Sequence, residues 1–192
     1  MLILAFDTAT SVTTAAVVRD GELVRDVRAD HAKHLVAALD ELVEEPAAID
    51  ALAVGTGPGS FTSIRIGLAA ARALALALDV PVAGVSTLDA LAAGAPGAVP
   101  VIDAKRGEVF TLVGARPRVL PPEELDADGR TLVGDGAVRF RDAFAGAEIP
   151  PDDSDLHVPQ ARFHALLGTD FRPAEEIEPI YLRVPDAERA LR

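Results

Sequence analysis

No cysteine occurs in the 192 residues, which excludes disulfides, thiolate metal sites and a cysteine nucleophile. Tryptophan is missing too, and aromatics make up only 4% of the chain. Its core must therefore be built from Ala, Val, Leu and Ile. Basic residues are scarce: 18 Lys and Arg stand against 30 Asp and Glu, a formal net charge of -12. A surface that acidic repels a phosphate backbone, which argues against tight direct binding of nucleic acid. Long apolar runs are also lacking. The longest, Ile66 to Leu78, is broken by Arg72 and falls short of the ~20 residues a membrane-crossing helix needs. The opening "MLILAFDTATS" has no basic leader region, and Asp7 interrupts it early, so it reads as a buried strand rather than a signal peptide. A reducing cytoplasm is the simplest location for such a chain.

What is present is a well-patterned globular chain. Hydrophobic residues make up 49%, enough for a sizeable core. Leu2 to Phe6 and Val12 to Val18 read as strands. Asp20-Gly21 is a two-residue hairpin turn leading into the alternating strand Glu22 to Ala29. Leu35, Leu39 and Leu42, with Val36 and Val43, predict a helix over about 32–44. Ile49 to Gly55 is a further strand, then comes a long helix to about Leu78, a strand from Val80 to Ser86 and a short helix from Thr87 to Ala93. Three meandering strands followed by helical crossovers give a mixed sheet flanked by helices. "VPVIDAKRGEVFTLVGA" (Val99 to Ala115) then repeats the opening, with Asp103 where Asp7 stood. The pattern predicts two lobes, an N-terminal one over 1–96 and a smaller C-terminal one over 97–192 whose last residues can pack back on the first, with a soft boundary at "GAPGA".

The stretch "GTGPGSFTSIRIG" (Gly55 to Gly67) raises a phosphate loop as one reading. Glycines before a helix expose N–H groups, and Asp7, Thr8, Gly57 and Gly59 would be the residues of such a site. The Walker lysine is missing, however, and the dinucleotide spacing is not met. The alternative is structural: glycine permits the turn, Pro58 fixes it, and Ser60 or Thr62 caps the helix. That helix has only two charges between Ile64 and Leu78, Arg65 and Arg72, on one face. One face can pack on its own sheet. Another, with Ile66, Ala70, Ala73 and Ala77, carries mostly small side chains. A helix with so narrow a polar stripe is either internal or covered by another subunit, and the chain has few elements left to cover it.

The search for other chemistry is thin. His31 and His34 are three apart at a helix start, a weak metal pattern against a solvated one. His157 and His164 read as surface residues. Asp7 and Asp103 end buried strands and can hold Mg²⁺ and phosphate, or simply cap their own turns. No Ser/His/Asp set or carboxylate pair is spaced for catalysis.

Together "LAFDTATSVTTAAVV", "HAKHLVAALDELV", "VGTGPGSFTSIRIGLAAARALALALDVPVAGVSTLDALA", "VIDAKRGEVF" and "PIYLR" resemble the TsaB (YeaZ) family of bacterial tRNA threonylcarbamoyladenosine biosynthesis proteins. Where Ser63 and Ile64 stand, that family more often has Gly-Leu. The resemblance implies an α/β, actin-like ATPase fold of the sugar kinase/Hsp70 type, ribonuclease H-like, in two lobes with mixed sheets flanked by helices. It implies a non-catalytic scaffold for a catalytic paralogue, TsaD, which transfers a threonylcarbamoyl group to the adenosine beside the tRNA anticodon. The paralogue's paired metal-binding histidines have no counterpart in Val85-Ser86-Thr87-Leu88-Asp89-Ala90. The docking helix would be the stretch just described, with Ser60, Phe61, Thr62, Ile64, Arg65, Ile66, Leu68, Ala69, Ala70, Arg72, Ala73, Leu76 and Ala77 as interface residues. The implied partners are TsaD, a TsaE-like ATPase, and a second copy when the chain is alone. Contact with tRNA would come only through the complex. No cofactor is expected in this chain, ATP or ADP lodging at most at the subunit boundary. The rival reading is a small actin-like ATPase or kinase using Asp7, Asp103 and the glycine loop.

Overall fold

The computed structural model describes residues 1–183; residues 184–192, at the end of the expected second lobe, lie outside it. Five strands form the first sheet: β1 (Leu2–Asp7), β2 (Val12–Arg19), β3 (Glu22–Asp30), β4 (Ala51–Gly55) and β5 (Val82–Val85), in the order β3-β2-β1-β4-β5. β2 is antiparallel to β1 and β3, while β4 and β5 run parallel to β1 through helical crossovers. Asp20 and Gly21 both take positive φ in the hairpin turn, as the dipeptide predicts.

The alternation of side chains along these strands sorts large from small. Leu4 and Phe6 of β1, and Leu52 and Val54 of β4, face one side. There they meet α1 (Leu35–Leu42) and α2 (Phe61–Leu78). Ala5, Ala53, Ala16 and Val18 face the other side, against Ala161 and Ala165 of α5 (Ala161–Leu167). Alanines on both surfaces let α5 lie close to the sheet. So a helix from late in the chain returns to the first sheet, and residues beyond it follow. Arg172 exchanges two backbone hydrogen bonds with Val82, and Ala174 and Ile177 join the core of the first sheet.

The second sheet has the order β8-β7-β6-β9, from β6 (Val99–Asp103), β7 (Val109–Val113), β8 (Arg116–Leu120) and β9 (Leu132–Val133). β6 and β7 are antiparallel, β7 and β8 antiparallel, and β9 parallel to β6. This is the β3-β2-β1-β4 arrangement over again, so the repeat seen at Asp7 and Asp103 is a repeat of topology. α3 (Thr87–Gly94) packs Leu88 and Leu91 against Ile102, Phe110 and Val133 of this sheet. A short α4 (Asp135–Arg139) follows β9. The α/β architecture with two mixed sheets is the actin-like class expected.

Several boundaries move by one or two residues. The expected helix over 32–44 is a 3-10 turn at Ala32–His34 followed by α1, ending at Leu42. Ile49 and Asp50 precede β4 because the Asp50 carboxylate accepts the Leu2 N–H at 2.6 Å and turns the chain.

Candidate functional site

α2 starts at the N-cap Ser60, whose hydroxyl accepts the Ser63 N–H at 3.4 Å. It ends at Asp79, which takes the left-handed conformation in which helices commonly terminate. By length and composition it is the one helix among the described residues that could cross a membrane. Its flanking strands, β4 and β5, are parallel neighbours in one sheet, so it is a crossover connection lying along that sheet.

Its inner face is Ile64, Gly67, Leu68, Ala71 and Ala75, all buried against the sheet. Ile64 and Leu68 therefore correct the expected interface set: 1% and 3% exposed, they are core residues. The remaining members reach the surface to differing degrees. Ser60, Thr62, Arg65, Ile66, Ala69, Arg72, Ala73, Leu76 and Ala77 are exposed, with Leu76 at 87%; Phe61 and Ala70 are half-buried. Ile66, Ala69, Ala73, Leu76 and Ala77 follow helical spacing along one face about 16 Å long at ~1.5 Å per residue. Among the described residues, the chain's own packing leaves this Leu uncovered.

The two arginines do not form a solvated stripe. Arg65 Nε donates to the Tyr181 hydroxyl at 3.2 Å and its guanidinium lies 4.1 Å from the Phe61 ring centroid. Arg72 donates to the carbonyls of Ala174 (3.5 Å) and Ile177 (3.1 Å). Both hold the 174–181 segment against the helix.

The glycine loop serves the turn after β1. A Cβ on Gly59 would strike the backbone of Ala9, and one on Gly67 would sit 2.5 Å from Thr8 Oγ1. Thr8 Oγ1 donates to Ser63 O at 2.7 Å, and Ser60 N to Ala9 O at 2.8 Å. These glycines allow the 7–9 turn and α2 to meet. Of the expected phosphate residues, Asp7, Thr8 and Gly57 are buried. Gly59 alone borders open space, a cleft of about 240 Å³ shared with Phe61, Lys105, Arg106 and Tyr181.

Asp7 is sealed. Its Oδ1 accepts the Ala9 N–H at 2.6 Å, its Oδ2 the Thr87 hydroxyl at 2.7 Å, and His164 Nε2 of α5 stands 2.7 Å from Oδ2. Both side chains are fully buried. Burial pushes the Asp7 carboxyl up. The adjacent His164 charge, its contact, the Ala9 N–H and the Thr87 hydroxyl more than reverse that and hold it below the usual carboxylate range. Asp103 repeats the arrangement. Its Oδ1 accepts the Lys105 N–H at 2.8 Å, and its Oδ2 pairs with Lys105 Nζ at 2.7 Å and Arg139 at 3.2 Å. Beside it, burial and the Asp103 charge raise the Asp135 carboxyl, which accepts the Asp103 N–H at 3.0 Å. So both strand-end aspartates cap their own turns, as one of the two readings had it, and the second oxygen of each is occupied by side chains of this chain: Thr87 and His164 at Asp7, Lys105 and Arg139 at Asp103.

The histidines need correction. His164 is fully buried, and His157 is buried with its Nδ1 accepting the Gly134 N–H at 3.0 Å. Their sequence surroundings carry little periodicity because both sit in or beside short helical pieces, and His164 meets a partner 157 positions away, Asp7 at the end of β1, which gives no local signal. His31 and His34 are exposed, and among the described residues no three His, Cys, Asp or Glu gather as a metal set.

The sequence model of the tRNA N6-adenosine threonylcarbamoyltransferase family, TsaD, matches residues 21–140. The tRNA threonylcarbamoyladenosine biosynthesis protein TsaB of Haemophilus influenzae is 30% identical over 95% of this chain and 94% of its own. The chain belongs to the TsaB family. An uncharacterized protein of Mycobacterium tuberculosis is 37% identical over 97% of this chain and 93% of its own. The solved structure of YeaZ from Pseudomonas aeruginosa superposes with a TM-score of 0.75 at 28% identity, covering 94% of this chain and 99% of that one. The fold and the resemblance stated from the motifs thus agree over nearly the whole length.

Proposed function

We propose that this TsaB-family chain serves in threonylcarbamoyladenosine formation on tRNA as a non-catalytic subunit. It docks through the outward face of α2 onto a TsaD-like catalytic paralogue. The observation that carries the reading is that face: Ile66, Ala69, Ala73, Leu76 and Ala77, apolar, aligned, and open along the helix. Small side chains allow another helix to approach closely, and a face of this kind is the mark of an interaction surface on a soluble domain. When alone, the chain pairs with a second copy by the same face. A TsaE-like ATPase joins the assembly, and tRNA is met through the complex, whose place is the cytoplasm.

The non-catalytic part rests on how the two strand-end aspartates are already engaged. In the rival reading Asp7 and Asp103 would meet Mg²⁺ and phosphate. Asp7 is enclosed with His164, and Asp103 is paired with Lys105 and Arg139. The residues do not fit a nucleotide held by these two carboxylates, so ATP or ADP belongs at the boundary with the paralogue.

A reconstituted modification assay tests the reading, with Leu76→Asp and Ala73→Glu on the open face. Loss of complex formation and of modification, with an unchanged melting temperature, is expected. Full activity with either charge in place overturns it. ATP turnover by the isolated chain, abolished by Asp7→Asn, would establish the rival.

A further inference from the structure

The Pro179–Arg183 motif is stitched to three separate elements. Ile180 N donates to Thr56 O at 2.8 Å, beyond the end of β4. The Tyr181 ring stacks on Phe61 at 5.0 Å between centroids and its hydroxyl accepts from Arg65, both on the first two turns of α2. Arg183 donates to Ala104 O at 3.0 Å, in the turn after β6. Upstream, Arg72 grips the carbonyls of Ala174 and Ile177. Residues 171–181 therefore run as a strap along one edge of α2 for most of its length.

The strap is not wholly consumed by these contacts. Tyr181 is 38% exposed, Pro173 is exposed and Phe171 half-buried. Between the strap and the C-terminal half of α2 lies a groove of about 630 Å³, with Arg72, Leu76, Val80, Phe171 and Pro173 among its walls. Leu76 belongs to both the open face of α2 and this groove. Packed helices lie 8–10 Å apart, and each is about 10–12 Å wide. A helix seated on the α2 face thus overlaps the strap edge as well.

We propose that the docking surface is composite: the α2 face and the 171–181 strap together receive one helix of the paralogous subunit. The groove beside Leu76 takes a large aliphatic side chain from that helix. Arg65 and Arg72 are positioning residues, spent on fixing the strap rather than on the partner. The inference rests on the α2 docking reading and adds to it the residues Phe171, Pro173 and Tyr181. It also explains why the only two charges of the helix lie toward its edge: each finds a polar partner on the strap and leaves the centre of the face apolar.

The test measures association of the full chain with its TsaD-family subunit by titration calorimetry, for Tyr181→Ala, Phe171→Ala, Arg72→Ala, Arg72→Lys and Leu76→Asp. Tyr181→Ala and Phe171→Ala should each weaken association tenfold or more. Arg72→Ala should do the same and, in the free chain, open the 171–181 stretch to protease. Arg72→Lys, which can still bond one carbonyl, should recover part of both. Association within threefold of wild type for Tyr181→Ala and Phe171→Ala, with Leu76→Asp non-binding, overturns the strap and leaves the α2 reading standing. Unchanged association for Leu76→Asp removes the α2 reading, and the composite surface with it. Should Arg72→Ala fail to fold, the Tyr181→Ala and Phe171→Ala variants still decide.

Discussion

Replacing His164 by Leu, a side chain of similar volume, should be among the most damaging single changes in this chain. The substitution keeps α5 packed on Ala5 and Ala53 but leaves the Asp7 carboxylate fully buried without its counter-charge. Removing one partner of a buried pair costs about 3–5 kcal/mol. For a domain of this size about 2–4 °C of melting temperature is lost per kcal/mol, so the transition should fall by roughly 6–20 °C at pH 7. Asp7→Asn should cost less, about 1–2 kcal/mol, because Asn still accepts the Ala9 N–H and no buried anion is left behind. The double variant should be more stable than His164→Leu alone, a coupling of about 2–3 kcal/mol. The pH dependence has a definite sign. In the native chain the Asp7 carboxyl lies below its ordinary 3.8, so its contribution is full above that value and disappears as pH falls through the lower, folded one. In His164→Leu the depressing charge is gone and burial pushes the carboxyl up, so acid relieves the variant by protonating Asp7. The gap between native and variant melting temperatures, followed by calorimetry, should narrow steadily from pH 7 to pH 4. A gap constant across that range, or strictly additive single and double variants, would refute the buried pair as the source of the effect.

Gly67→Ala inverts the usual helix rule. Alanine in a helix interior normally gains about 1 kcal/mol over glycine, but here its Cβ would sit 2.5 Å from Thr8 Oγ1. A net loss of about 1–3 kcal/mol is expected by urea unfolding; a gain would show that the 7–9 turn yields. Asp135→Asn should stabilise at neutral pH. A raised carboxyl favours the fold in acid and loses that advantage as pH rises through the folded value, whereas Asn can still accept the Asp103 N–H. The melting temperature should rise at pH 7 and change little at pH 3; a fall at pH 7 would contradict it.

The sequence makes some of this architecture legible and hides the rest for identifiable reasons. Strands β1 to β3, the Asp20-Gly21 turn and α2 are local patterns, and period and turn chemistry suffice for them. The second copy of the strand–Asp–turn–strand unit was visible because its residues run consecutively, Val99 to Ala115. The open face of α2 could be anticipated as an imbalance of charge, though not its orientation: Ile64 and Leu68 look like Ile66 and Leu76 until the sheet selects the side that is buried. What escaped was long-range. His164 meets Asp7 because α5 returns to the first sheet, and Arg65 and Arg72 find their acceptors on a segment more than 100 positions away. Ala161 and Ala165, which let α5 lie close, carry no signal of their own beyond being small.

The partners of the two strand-end aspartates bear on how easily either carboxylate could take up a metal ion. Opening Asp7 to a metal ion requires clearing His164, and opening Asp103 requires clearing both Lys105 and Arg139. Clearing His164 alone passes through a form with a bare buried anion, far less stable than the starting point. A metal site at Asp7 is thus walled off by folding stability at its first step, whereas substitutions on the open face of α2, such as at the 87% exposed Leu76, meet no such wall in folding.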